Sequence, residues 1–234
     1  MYVIRDSELI VVIDTETTGL DPKTGCIVEV AALADNGRYY STLVHLETSL
    51  SHEAAATNYI TSDMLGDAPR LKAALDELRQ ELGATGDNVV YAAHNASFDR
   101  GFLGELLHGR WLCTMRCAKH IWPGAPSYKN NVLHFWLGLE PKFPLLRPGE
   151  LMPHTALYDV CVTKALLDRM LESTTIEALL TLQHQPVLLK TVRFGKHRGE
   201  EWNTVPRSYL EWAARNITDD IDVAHTIEYW RRMK

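Results

Sequence analysis

The sequence predicts an α/β fold: a mixed central sheet flanked by helices, three antiparallel strands first and strand–helix units after them, with a small C-terminal module behind. Three observations carry that expectation. Residues 8–14 (ELIVVID) form an apolar, β-branched run that ends abruptly in polar residues and Gly19. Two further strand-like runs are separated by the tight-turn triplet Asp35-Asn36-Gly37. Residues 155–171 place Ala156, Val160, Thr163, Leu166, Leu167 and Met170 at the spacing of a core-facing helix.

The first strand leads into CIVEVAALA at 26–34 and RYYSTLVHL at 38–46, which pair as neighbours across the turn. Helical patterns follow at 52–57 and 69–82, the second with Leu71, Leu75, Leu78 and Leu82 on one stripe. NVVYAAH reads as a strand, 96–107 as a helix, 111–113 as a short strand, and 114–121 and 129–138 as helices. Glu140 to Pro153 is rich in proline and without periodicity, a candidate flap. Beyond the helix at 155–171, a short helix and a connector precede a tail of about 43 residues with its own turn, strand and helix pattern. The expected division is 1–175 for the main domain and 176–234 for the module.

With 234 residues, 46% hydrophobic and 23% charged, the chain can bury one sizeable core and an appendage. Its start lacks the basic, apolar and small-residue segments of a signal peptide, and no apolar run approaches the roughly 20 residues that span a bilayer. A cytoplasmic protein with no membrane partner is expected. Cys26, Cys113, Cys117 and Cys161 read as reduced core thiols; Cys113 and Cys117 could share a helical face, but no second Cys/His pair completes a zinc site. The net charge of −6 argues against coating nucleic acid by bulk attraction. Between His108 and Gly149, however, six cations face a single acid, Glu140. That segment is either a zone that favours phosphate or an ordinary solvated face, and the sequence leaves both open.

Asp14 and Glu16 stand at i and i+2, so on a strand both project from one face and can share a hard divalent cation. The turn after them, Thr17-Thr18-Gly19-Leu20, offers hydroxyls, close backbone approach, and an apolar side chain that either wedges against a terminal base or packs. In His94-Asn95-Ala96-Ser97-Phe98-Asp99 a strand ends and a helix begins, the place where α/β sheets hold ligands. Asp99 there is either a helix cap or part of a site. In His154-Thr-Ala-Leu-Tyr-Asp159, five residues of straight helix would set His and Asp about 140° apart. Pro153 and Thr155 mark a helix start that instead leaves His154 in the preceding loop and Asp159 one turn inside. A loop histidine beside activated water suits a general base.

These three motifs, in this order, resemble the DEDDh family of 3′→5′ exonucleases, whose fold is related to ribonuclease H. Asp14 and Glu16 match its first motif, Asp99 the second, and His154 with Asp159 the third; the likeness spans about residues 8–172. The resemblance implies DNA hydrolysis from the 3′ end with two divalent ions, Mg²⁺ or Mn²⁺. In that scheme Asp14 bridges both ions, Glu16 and Asp159 complete one, Asp99 supports the other, and His154 is the base. Thr17, Thr18, Gly19, Leu20, His94, Asn95, Ser97 and Phe98 are the candidate contacts to DNA, single-stranded or at duplex 3′ ends. A second copy of the chain is a candidate partner. The tail from Phe194, FGKHRGEEWNTVPRSYLEWAARN, resembles a module with an FGK-x-x-G start found in some of these nucleases. Its Lys190, Arg193, Lys196, His197 and Arg198 form a basic cluster that could hold DNA, while Trp202, Tyr209, Leu210, Trp212 and Trp230 are assigned to its core. Three other readings stay open: an exoribonuclease, a proofreading subunit tethered through 176–234, and a catalytically silent nucleic-acid-binding protein.

Overall fold

The computed structural model describes residues 8–86, 88–143, 155–217 and 219–234. The chain divides into two compact units, one running to Gln183 and one from His184 to Lys234.

The first unit is built on a five-stranded sheet ordered β3-β2-β1-β4-β5. Its strands are β1 (Leu9–Thr17), β2 (Ile27–Ala34), β3 (Tyr39–Leu43), β4 (Val89–Ala93) and β5 (Arg110–Cys113). The first three pair antiparallel, and β1–β4 and β4–β5 pair parallel. The turn between β2 and β3 falls at Asp35-Asn36-Gly37, where Gly37 takes φ 84°, a left-handed conformation that favours glycine. Helices α1 (His52–Asn58), α2 (Leu71–Leu82), α3 (Ser97–Leu103), α4 (Thr114–Ile121), α5 (Asn130–Leu137), α6 (Ala156–Leu171) and α7 (Ile176–Leu182) surround the sheet.

Alternation along β1 sorts the core into two layers. Val11 and Ile13 pack with Leu75, Leu78 and Leu82 of α2, whereas Val12 packs with Val160, Leu166 and Leu167 of α6. Because side chains two apart share a face, Asp14 and Glu16 lie on the α6 side with Val12. The expected strand at 8–14 continues to Thr17, since β2 keeps pairing with it after β4 has ended: the β1–β4 register stops at Val12↔Ala92, while β1–β2 runs on to Thr17↔Ile27. The regular antiparallel register sets Glu16 opposite Glu29, and an irregularity between Glu16 and Thr17 then moves Thr17 opposite Ile27. The helix expected over 96–107 is shorter, ending at Leu103 before a 3₁₀ turn at Gly104–Leu106.

The boundary at Gln183 lies eight residues beyond the expected 175/176, for a physical reason. Leu179 of α7 is buried in the α6-side core. The Gln183 side chain serves as a substitute strand for β5: its Nε2 donates to the Trp111 carbonyl (2.9 Å) and its Oε1 accepts from the Cys113 amide (2.8 Å). That satisfies one carbonyl and one amide on the outer edge of β5, which the sheet leaves unpaired.

The second unit has its own core, in which Trp202, Val205 and Leu210 join Val223 and Ile227. Its helices are α8 (Arg207–Asn216) and α9 (Ile221–Met233). In place of the expected strand there is, among the described residues, a single bridge, Thr191↔Glu201. The extended segment before it is held by side chains: the amides of Val187 and Leu189 donate to Asp222 Oδ1 and Thr226 Oγ1 of α9, both at 2.8 Å. Trp212 departs from its assigned core place and stands 50% exposed.

Among the described residues no helix is long and apolar enough to cross a membrane. Cys117 and Cys161 are core thiols as expected, but Cys26 is exposed and Cys113 half-buried. The basic segment is partly structural, since the Arg110 guanidinium is bound to Glu8 and Glu177.

Candidate active site

Asp14, Glu16 and Asp159 offer carboxylate oxygens that all lie within 4.8 Å of one another, and they form the one such group of potential metal ligands among the described residues. β1 supplies the first two on one face. Asp159 comes from the first turn of α6, which starts where Thr155 caps it, its hydroxyl accepting from the Tyr158 amide (3.4 Å). His154, the expected base just before this cap in the sequence, lies outside the described residues.

Asp99 reaches the same neighbourhood from α3 and is only 2% exposed. It is fixed by Thr15, whose backbone amide (3.1 Å) and hydroxyl (2.9 Å) both donate to its Oδ1. That amide lies past the last β1–β4 pair, so the carboxylate takes the place of a missing strand.

A fifth acid, which the sequence did not single out, completes the group. Glu29 of β2 is buried opposite Glu16, and its Oε2 accepts from the Ala156 amide at 3.1 Å. Asn130 is a second addition: its Nδ2 donates toward the Asp159 carbonyl (3.1 Å), the Asp159 Oδ1 (3.4 Å) and Thr163 Oγ1 (3.1 Å), tying α5 to the start of α6. The one available signal for Glu29 was an acid inside an otherwise apolar strand; Asn130 reads as an ordinary helix start.

Crowding so many acids leaves a mark on their protonation. Burial first, then repulsion from Asp99, Asp159, Glu16 and Glu29, raises Asp14 well above the usual carboxylate range. Burial, then Glu29, Asp159 and Asp99, pushes Glu16 up to about 8. Burial lifts Asp99 to about 7 against the lowering effect of the Thr15 bonds. Glu29 is raised by burial, with the Ala156 hydrogen bond opposing. Carboxylates so placed bind protons or a cation, and an all-oxygen donor set favours a hard divalent ion. The residues fit a divalent metal.

The rim is less uniform than expected. Asn95, with φ 77°, and Ser97 are exposed, and the half-buried Phe98 ring packs tilted against Phe102, centroids 5.0 Å apart. Leu20 is 86% exposed at the tip of a closed loop, where the Thr18 amide donates to the Cys26 carbonyl and the Cys26 amide to the Thr18 hydroxyl, both at 2.9 Å. A Cβ on Gly25 would come within 3.0 Å of the Phe102 ring, so glycine lets this loop lie against α3. The Thr17 hydroxyl is spent on the Gly19 carbonyl (2.7 Å), and buried Asn58 holds the Thr17 carbonyl (2.9 Å). His94 is directed inward: its Nδ1 meets the Thr114 hydroxyl (2.9 Å) and its Nε2 the Tyr128 carbonyl (2.7 Å), while burial drives its pKa down to about 4. It is a neutral brace between β4, α4 and the loop before α5, with both ring nitrogens occupied.

An acidic centre that fits a divalent ion, set where β1 outruns its parallel neighbour in a mixed five-stranded sheet, matches the ribonuclease H-like architecture. The family model described as "Exonuclease" matches residues 11–167, and this chain belongs to that family. It is 36% identical over 215 residues to exodeoxyribonuclease 10 of Escherichia coli (strain K12), covering 88% of this chain and 90% of that protein. It is also similar to a solved structure of exonuclease X in complex with 5′ overhanging duplex DNA, with 37% identity and a TM-score of 0.61 over 74% of this chain and 99% of that one. The nuclease domain of 3′hExo, a DEDDh family member bound to rAMP, shares the fold at 18% identity, with a TM-score of 0.56 over 72% of this chain and 94% of that one.

Proposed function

We propose that this chain hydrolyses DNA from the 3′ end, one nucleoside 5′-monophosphate at a time, with two divalent ions, Mg²⁺ or Mn²⁺, held by Asp14, Glu16, Asp99 and Asp159. The observation that carries the reading is the set of three carboxylates within 4.8 Å on β1 and α6. The likeness to DNA-directed relatives supports DNA as the substrate. Divalent ions bound there supply Lewis-acid polarisation of the scissile phosphate and offset charge on the attacking and leaving oxygens.

The protein's own groups do the rest. Thr15 and Asn130 aim Asp99 and Asp159, a service that outer hydrogen bonds perform for metal ligands. Glu29 anchors the Ala156 amide at the start of α6, the helix that carries Asp159. His154 takes the proton of the attacking water. Leu20 and Phe98 offer apolar surface to the terminal base, and Asn95, Ser97 and Thr18 offer polar groups to sugar and phosphate.

The test is a 5′-labelled single strand incubated with and without Mg²⁺, beside an Asp14→Ala variant and a 3′-blocked strand. A metal-dependent ladder shortening from the 3′ end, absent from both controls, is expected. Intact substrate under Mg²⁺ and Mn²⁺ alike would overturn the reading, and equal or faster digestion of RNA would move it to an exoribonuclease.

A further inference from the structure

We infer that the second unit carries its own binding site for a single strand of DNA, in which Arg193, Lys196 and Arg198 meet backbone phosphates and Trp212 stacks on a base. The choice of DNA rests on the function proposed above; the site does not.

The site begins as a loop that the backbone closes on itself. The Val192 amide donates to the Glu200 carbonyl (2.9 Å), Gly199 to Val192 (2.8 Å) and Trp202 to Lys190 (3.0 Å), so residues 193–198 form a closed tip on which Arg193, Lys196 and Arg198 are exposed while Phe194 turns in against the core. Glycine is required within it: Gly195 has φ 62°, and a Cβ there would stand 2.7 Å from the Tyr209 hydroxyl. Tyr209, only 7% exposed, is the floor beneath the tip. The His197 ring meets its edge at 4.5 Å, and the Lys196 Nζ lies 5.5 Å from its centroid. Trp212 continues the aromatic surface at 5.3 Å from Tyr209, one helical turn along α8, and presents half its area to solvent.

Charge on this unit is distributed unevenly. Lys190, Arg207, Arg231 and Arg232 are each paired with a glutamate. Arg193, Lys196 and Arg198 have no carboxylate partner among the described residues, and the acid nearest them in sequence, Glu200, is engaged with His197. Residues 184–234 hold nine Lys and Arg against seven Asp and Glu, within a chain whose net charge is −6. Three unpaired cations on the tip, with Lys196 over Tyr209 and the half-exposed Trp212 beside that ring, match a polyanion that also carries flat rings. An acidic peptide would satisfy the cations and leave Trp212 unused. The tether to the catalytic unit raises the local concentration of any strand held here.

The experiment uses the full chain carrying Asp14→Asn, so that bound strand persists, and measures the affinity of a long labelled oligothymidylate across a salt series. Each cation on a single strand contributes about 0.7 to the logarithmic salt slope. R193A/K196A/R198A should therefore flatten the slope by about two. Trp212→Ala should weaken binding about tenfold, within the range of base stacking on an aromatic side chain, while Trp212→Phe retains most of it. A 5-iodouracil strand should photo-crosslink to Trp212. Unchanged slope and affinity, a strand displaced as readily by polyglutamate as by unlabelled oligothymidylate, or absence of the crosslink would each overturn the site. Active chains carrying the same tip changes are expected to cleave a tetranucleotide normally. If even the unmodified chain cleaves nothing, the proposed activity fails while the binding result stands.

Discussion

The acids around Asp14 and the cations at 193–198 are both clusters of like charge, yet the two units build them by opposite means. The acids are taken into the protein, where Asp99 is 2% exposed, and their mutual repulsion and desolvation emerge as carboxyls that resist ionising. The cations stand exposed in water, which screens them. Buried like charge is costly to fold and is retained where a multivalent ion neutralises it; exposed like charge costs little and suits a partner that arrives and leaves.

The largest expected effect breaks the acidic side outright. Asp14→Asn should cut metal-dependent cleavage about a thousandfold, the upper scale for losing one principal charge-stabilising group, as read in single-turnover assays. Glu29→Ala should lower activity about 10–100-fold, the scale of losing a group that positions a metal ligand, since Glu29 holds the Ala156 amide in the turn that carries Asp159. Glu29→Gln, which keeps an oxygen for the Ala156 amide, should restore most of it; equal loss in both would show that the Glu29 charge itself matters.

The pH dependence of stability sharpens the contrast. Glu16 and Asp99 are raised to about 8 and about 7, so the folded, metal-free protein holds protons that the unfolded chain has already released. Stability in EDTA is therefore fullest below about pH 4 as far as these groups decide it, and it falls as pH rises through 7 to 8. Thermal midpoints should fall over that window, and Mg²⁺ should reverse the loss. The smallest effect belongs to the tip: R193A/K196A/R198A should leave denaturant stability within about 0.5 kcal/mol, as exposed substitutions do.

Much of the site was legible because its chemistry is written in local spacing. Asp14 and Glu16 needed only the period of a strand, and Asp159 only a helix start at Thr155. What stayed hidden depends on pairing between distant segments. Glu29 becomes part of the site through its register opposite Glu16, and Asn130 through α5 meeting α6. His94 looked like a ligand because it closes a strand, but Thr114 and Tyr128, 20 and 34 residues away, claim both its nitrogens. Trp212 was assigned to the core on hydrophobicity, although its helix turns that ring half outward.

The amide of Gln183 has a practical side. A truncation that stops at residue 175 would strip Leu179 from the core and bare the outer rim of β5, whose free amides and carbonyls could then recruit a neighbouring molecule and seed aggregation. A stop just after Gln183 keeps both Leu179 in the core and the Gln183 amide on β5, so eight residues separate a well-behaved fragment from a sticky one.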